Sequence, residues 1–351
     1  MIDLRHVCVL IATALAAALN LTAQQPTAEI PSSRDIRVPV FVDTKSGQQV
    51  TDLEQKDLAL FDNKTARPIT FFKRLDAQKE SVNVILLLDA VNTPYQTIAY
   101  AREGTEKFLK LNEGQLASPT TVEVLTDQGM QASSGFTTNG LALSDELEHR
   151  QIGLREITRS SEWSGPERFQ ICINSLHQLL ASVASLPGRK MVVWISPGWP
   201  LVSGPRVYLD AKQAQQIFNE IVSLSTKLRE LGVTIYNVNP FGVNEPMQEA
   251  NLYQSFLKGV SKLDQVNLGN LSIQVLAAQS GGLVIEGNSD VTGMIQQCMN
   301  DARSWYEVGF DPLPADKQNE YHHIEIKVDR PGAAVRTRDG YYANPVAVQA
   351  R

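Results

Sequence analysis

Three short segments hold the residues best suited to chemistry. Asp89, Asn92 and Thr93 stand in "DAVNT", directly after the apolar run "VILLL". Phe136, Thr137 and Thr138 stand in "GFTTNG", and Ser196 and Trp199 stand in "SPGWP", which follows "MVVWI". With Tyr95, just beyond the first segment, they offer hydroxyls and one carboxylate among aromatic rings. Such a set suits recognition at a mixed polar and apolar interface, with Trp199 as an anchor or else as core beneath its loop. Covalent catalysis has less to work with. Ser196 lies in no Gly-x-Ser-x-Gly elbow, and neither a P-loop nor a Gly-x-Gly-x-x-Gly occurs. The five histidines, His6, His149, His177, His322 and His323, are scattered. They suggest no metal cluster and read as solvated or interfacial side chains.

The elements around these segments predict how they are placed. "VNVILLLD" and "MVVWIS" are nearly continuous apolar runs, as in strands buried on both faces of a parallel sheet. "TTVEVLT" and "VTIYNVNP" read as further strands, with "MQASSGFT" and "GGLVIEG" as weaker or shorter ones. Between them lie amphipathic segments at helical spacing. These are "YQTIAYAREGTEKFLKLN", "TNGLALSDELEHR" with Thr138 or Asn139 as its cap, "RFQICINSLHQLLASVASL", "DAKQAQQIFNEIVSLSTKLRELG", two stretches around 248–263 and 271–280, and "VTGMIQQCMNDARSW". The alternation predicts an α/β domain over 80–305 with right-handed crossovers and an open, doubly wound, mostly parallel sheet. In such sheets ligands sit beyond the carboxyl ends of the strands, where strand order reverses. The three segments are expected to meet there. Residues 35–79 and 306–344 alternate as strands instead, and are expected to pack together as a small flanking β unit. Residues 24–34 read as a polar leader and 345–351 as a tail.

Composition narrows the partners. The chain has 351 residues, 43% apolar and 20% charged, with a net charge of −6. No block of Lys and Arg is present, which argues against nucleic acid. The run "VCVLIATALAAALNLTA" between a short polar head and a polar exit reads as a secretory signal peptide over 1–23, with an uncleaved anchor as the alternative. An exported protein follows, whether secreted, periplasmic or attached to the envelope. No other run is long enough to span a bilayer. Cys172 and Cys298 fall on apolar helix positions and read as buried thiols, although export would permit a bond between them.

With "DAVNT", "TTNGLAL" and "SPG" in these places, the sequence resembles the von Willebrand factor type A domain, which carries Asp-x-Ser-x-Ser, a Thr loop and often Ser-Asp-Gly there. The flanks "FVDTKSGQQVTDLEQKDLALFDN" and "YEVGFDP…HHIEIKVDRPGAAVRTRDGYYA" resemble those of exported VWFA-related bacterial proteins frequent in Acidobacteria. The resemblance implies that the first and fourth strands are neighbours, with "SPGWP" facing Asp89. It also implies a Mg²⁺ site from Asp89, Thr93 and Thr137. Val91 stands where the middle hydroxyl belongs and Pro197 where the third-loop Asp belongs. Mg²⁺ demands near-ideal oxygen geometry, so the expectation is no tight metal and no cofactor, with Asp89 bonded to loop N–H groups. The implied function is non-enzymatic: binding or adhesion to a protein or other extracellular partner at the crevice. A scaffold part of an envelope assembly, with an inert crevice, is the alternative. "DAVNT" also fits part of the Asp-x-Asp-x-Thr pattern of haloacid-dehalogenase phosphatases, but Val91 replaces the second Asp.

Overall fold

The computed structural model describes residues 35–77, 79–150, 164–199, 209–241 and 252–345. The expected signal peptide and leader lie outside these residues, as do the expected tail beyond residue 345 and residues 200–208. The strands are β1 (Ile36–Thr44), β2 (Leu58–Asp62), β3 (Thr65–Arg67), β4 (Ile69–Asp76), β5 (Val82–Asp89), β6 (Gln115–Thr126), β7 (Gly129–Ala132), β8 (Thr137–Asn139), β9 (Arg189–Ile195), β10 (Val233–Val238), β11 (Val284–Ile285), β12 (Ser304–Phe310), β13 (Glu320–Val328), β14 (Ala333–Arg336) and β15 (Gly340–Ala343). The helices are α1 (Tyr95–Leu109), α2 (Gly140–His149), α3 (Ser164–Ser182), α4 (Ala211–Glu230), α5 (Ile273–Gln279) and α6 (Val291–Arg303).

The central sheet runs β11-β10-β9-β5-β6-β7, with β8 also on β6. β11, β10, β9, β5 and β6 are parallel, and β7 and β8 join antiparallel. All eight residues of β5 and all seven of β9 are buried. The reason is the covering of both faces. Leu86, Leu88, Met191 and Val193 pack with Ile98, Leu143 and Ile295, from α1, α2 and α6. Leu87, Val192 and Trp194 pack on the other side with Leu176, Leu224 and Ile273, from α3, α4 and α5. The chain therefore has a mixed α/β architecture with a mostly parallel central sheet. β6 lies on one side of β5 and β9 on the other, so strand order reverses between β5 and β9.

The segments 36–76 and 304–343, on either side of the central domain, form flanking antiparallel sheets, in the orders β14-β1-β12-β4 and β15-β13-β2-β3. Their shared core includes Val38, Val40, Leu60, Val308, Phe310 and Ile326. The stretch expected as helix around 248–263 differs. Its described part holds two short 3₁₀ turns, Leu252–Phe256 and Leu263–Gln265. Gly259 lies between them, and a Cβ there would fall 2.0 Å from the Tyr321 ring. This close approach needs glycine, which is also a poor helix former.

Cys172 and Cys298 are free and buried. They belong to the cores on opposite faces of the sheet, so they do not pair. Burial pushes both thiols upward, Cys172 strongly so. Thiolate is the reactive form. A maleimide reagent should therefore label neither cysteine in the folded chain and both after denaturation. Labelling at a rate independent of denaturant would contradict the buried placement.

Candidate functional site

β5 and β9 deliver their ends side by side, pairing Leu88 with Ile195. Asp89 and Ser196, one residue further on each strand, therefore meet. Both are fully buried. Asp89 turns its carboxylate back over its own loop, where Oδ1 accepts from the N–H groups of Val91 and Asn92, each at 3.0 Å. This local bonding is the habit that makes Asp a turn residue. Oδ2 accepts from Asn92 Nδ2 at 2.8 Å, Ser196 Oγ at 2.9 Å and Trp194 Nε1 at 3.1 Å. Burial pushes the Asp89 pKa up, and the donors of Asn92, Trp194 and Ser196 oppose that rise.

The "SPGWP" loop is fastened at several points. Ser196 Oγ also accepts from Gly198 N, at 3.1 Å. Asn237 Nδ2 donates to the carbonyls of Trp194 and Ser196, and Gln274 Nε2 donates to that of Pro197. Gly198 has φ +121°, and a Cβ there would lie 2.4 Å from Gln274 Nε2. So the glycine serves both a left-handed turn and a close approach.

Trp199 takes the core alternative of its two expected places, which corrects the expectation of a partner-binding anchor. It is 2% exposed and belongs to the core. Its ring stands edge-on to Trp194 at 5.4 Å and to Phe169 at 6.0 Å between centroids. Packing with these two aromatics, rather than access to a partner, explains its place beneath the loop. Thr137 and Thr138 correct another. Thr137 pairs with Thr120, while Asp89 pairs with Leu125 further along the same strand. At 3.3 Å per residue this offset sets Thr137 about 16 Å along β6 from the Asp89 level. The antiparallel run of β8 carries the loop away from the carboxyl ends. Thr137 Oγ1 instead accepts from Asn139 N at 3.1 Å, and Asn139 caps α2. Thr138 is exposed, and Phe136 is half-buried against the α3 and α4 side of the core.

Of the first segment, Asn92 is partly buried and its Nδ2 also lies 3.1 Å from Cys172 Sγ. Tyr95 is 67% exposed at the start of α1. Thr93 is buried, and Thr93 Oγ1 and Asn92 Oδ1 have no hydrogen-bond partner among the described residues. The residues do not fit the implied Mg²⁺. Both carboxylate oxygens face N–H and O–H donors, and a cation would have to displace them. The third expected ligand, Thr137, stands elsewhere. Trp194, Asn237 and Gln274 take part in the cluster although the sequence reading did not select them. One signal was available: a lone Trp in the apolar run "MVVWI" has an N–H that usually finds an acceptor when buried.

No protein-family model matches the sequence, and no curated protein matches it. Among solved structures, the chain is similar to a human COPII-coat protein at 9% identity and a TM-score of 0.35, over 76% of this chain and 44% of that one. The chain thus spans less than half the length of that coat protein. It is similar to the manganese-loaded TRAP protein of Plasmodium vivax at 11% identity and TM-score 0.31, covering 77% of this chain and 98% of that one. A point mutant of the PilB minor pilin from Streptococcus sanguinis is similar at 10% identity and TM-score 0.34, over 63% and 62% of the two chains.

Proposed function

We propose that the chain is a non-enzymatic, von Willebrand factor type A-like module of an exported protein. It serves in assembly with a protein or envelope partner, and its switch-point crevice is architectural. The observation that carries this reading is the full commitment of Asp89 to five hydrogen bonds within its own chain. A carboxylate so held is a clamp between two strands. It is neither a free cation ligand nor a nucleophile open to substrate. The signal-peptide-like sequence of residues 1–23 supports export, and the exposed Tyr95 offers an aromatic contact beside the clamp.

Calorimetric titration of the mature chain with Mg²⁺, Mn²⁺ and Ca²⁺ tests the reading. No saturable heat is expected at micromolar metal. Saturation there, lost in Asp89→Asn, would replace it with metal-dependent adhesion. Hydrolysis of p-nitrophenyl phosphate that Asp89→Asn abolishes would replace it with phosphatase chemistry.

A further inference from the structure

The opposite end of the central sheet holds a cavity of about 340 Å³ beneath the starts of β5, β9 and β10, roofed by residues of the flank. Five of its lining residues are cationic, Arg37, Arg189, Lys190, Arg229 and Arg338, against the three carboxylates Glu80, Glu230 and Glu307. The carboxylates are already engaged. Glu80 pairs with Lys73, Glu230 with Arg229, and Glu307 with Arg37.

Three of the cations are buried without a carboxylate partner among the described residues. Arg189, Lys190 and Arg338 are 8%, 4% and 3% exposed. Lys190 Nζ donates to the Leu231 carbonyl at 3.0 Å, and Arg338 Nη2 to the Val233 carbonyl at 2.7 Å. Arg189 reaches the Asp301 carbonyl and the Tyr236 hydroxyl with its two terminal nitrogens. Its Nε is buried with no acceptor. Lys and Arg are almost never buried unless paired, because taking a charge out of water is costly. The strain shows in Arg338, whose pKa is pushed down to about 9 by burial and by the charges of Arg229 and Arg189. Arg189 also lies over the Phe41 ring at 4.7 Å, and Tyr236 links it to Asp301, yet the cations around the open volume still outnumber the carboxylates that face them.

The wall composition defines the rest of the anion that would balance them. Leu75 and Trp305 also line the cavity, and the Arg189 guanidinium lies over the Trp305 ring at 5.3 Å. The volume lies within the range of small-molecule sites, which join apolar walls to a few fixed polar groups. From this geometry we infer that the cavity binds a small organic anion. Its carboxylate or phosphate head is held by Arg189 and Arg338, and its apolar body lies against Leu75 and Trp305. This site is independent of the crevice at the other end of the sheet.

Thermal unfolding of the whole chain at constant chloride tests the inference. Phenyl phosphate is the probe, inorganic phosphate the head alone, and benzamide the neutral analogue. Phenyl phosphate should raise the midpoint saturably, phosphate should do so more weakly, and benzamide should not. Arg338→Gln should weaken phenyl phosphate binding tenfold or more. Arg37 is on the rim with a half-exposed side chain. Arg37→Gln should keep the fold and weaken binding about threefold, and it decides the matter if Arg338→Gln does not fold. The inference is overturned by no saturable shift with phenyl phosphate, by an equal shift with benzamide, or by unchanged binding in the folded variants.

Discussion

Asp89→Ala should lower the unfolding free energy by about 3–5 kcal/mol, because several buried donors would be stranded at about 1–3 kcal/mol each. Val91 N–H, Asn92 N–H, Asn92 Nδ2, Ser196 Oγ and Trp194 Nε1 would all lose their acceptor at once. The hydroxyl of Ser196 can turn elsewhere, but the indole N–H is fixed by packing against Trp199. Asp89→Asn separates charge from shape. Its oxygen can keep the two backbone donors, while its amide would face the Trp194 N–H, leaving a loss of about 1–3 kcal/mol. Urea unfolding measures both, as a lower midpoint with an unchanged slope. Equal midpoints in wild type and Asp89→Ala would end the clamp interpretation and return Asp89 to the candidates for ligand chemistry.

The second large effect belongs to the flank. Asp62 is fully buried at the end of β2. Its Oδ1 lies 3.0 Å from His322 Nδ1, and its Oδ2 accepts from Tyr341 Oη at 2.7 Å and Leu313 N at 2.8 Å. One carboxylate thus joins β2, β13, β15 and the loop before β13. Asp62→Ala should cost about 3–5 kcal/mol at pH 7. Burial pushes the Asp62 pKa up, but the donors of His322, Leu313 and Tyr341 outweigh it and hold the carboxyl below its ordinary value. The unfolded chain therefore binds this proton more readily than the folded one. The stabilisation is complete above the ordinary Asp value, about 3.9, and is lost as pH falls through the lower folded value. The difference between wild type and Asp62→Ala should shrink along that acid limb. A gap that stays constant from pH 7 into the acid limb would mean that ionisation of Asp62 is not its source.

The central sheet was legible because its strands are buried on both faces. "VILLL" and "MVVWI" needed no alternation to be read, and their pairing placed Asp89 against Ser196. In the flank, "DNKT" is a turn, with Asn63 and Lys64 at positive φ, but the strand it returns is the short β3, while the apolar stretch after Pro68 is β4 and pairs with β12 in the other sheet. Other features depend on partners distant in sequence. Nothing near Trp199 says that α3 will supply Phe169 to cover it. Thr137 was misplaced because a loop motif does not reveal how far along β6 it attaches. His322 was read as solvated or interfacial, yet it is buried. It shares its strand face with Ile324 and Ile326, so period-two alternation carried the signal. The cation cavity was hidden because Arg189 and Arg338 come together only when the flank closes on the sheet.

β1 also bears on the order of events in the life of the chain. It lies between β12 and β14, with Ile36 opposite Phe310 and Phe41 opposite Arg336. Its neighbours are thus made only after the whole central sheet. A ribosome releases β1 before the central sheet, and that strand must then wait, edges bare, until the sheet and its helices have been made. Contacts this far apart in sequence slow folding, because loop closure must precede any gain from pairing. The parallel sheet and its helices are made in between and are complete before β13 to β15 appear. Closure of the flank is therefore a late, slow event, and a chain cut short before β12 would expose β1 as an unpaired edge prone to join another copy.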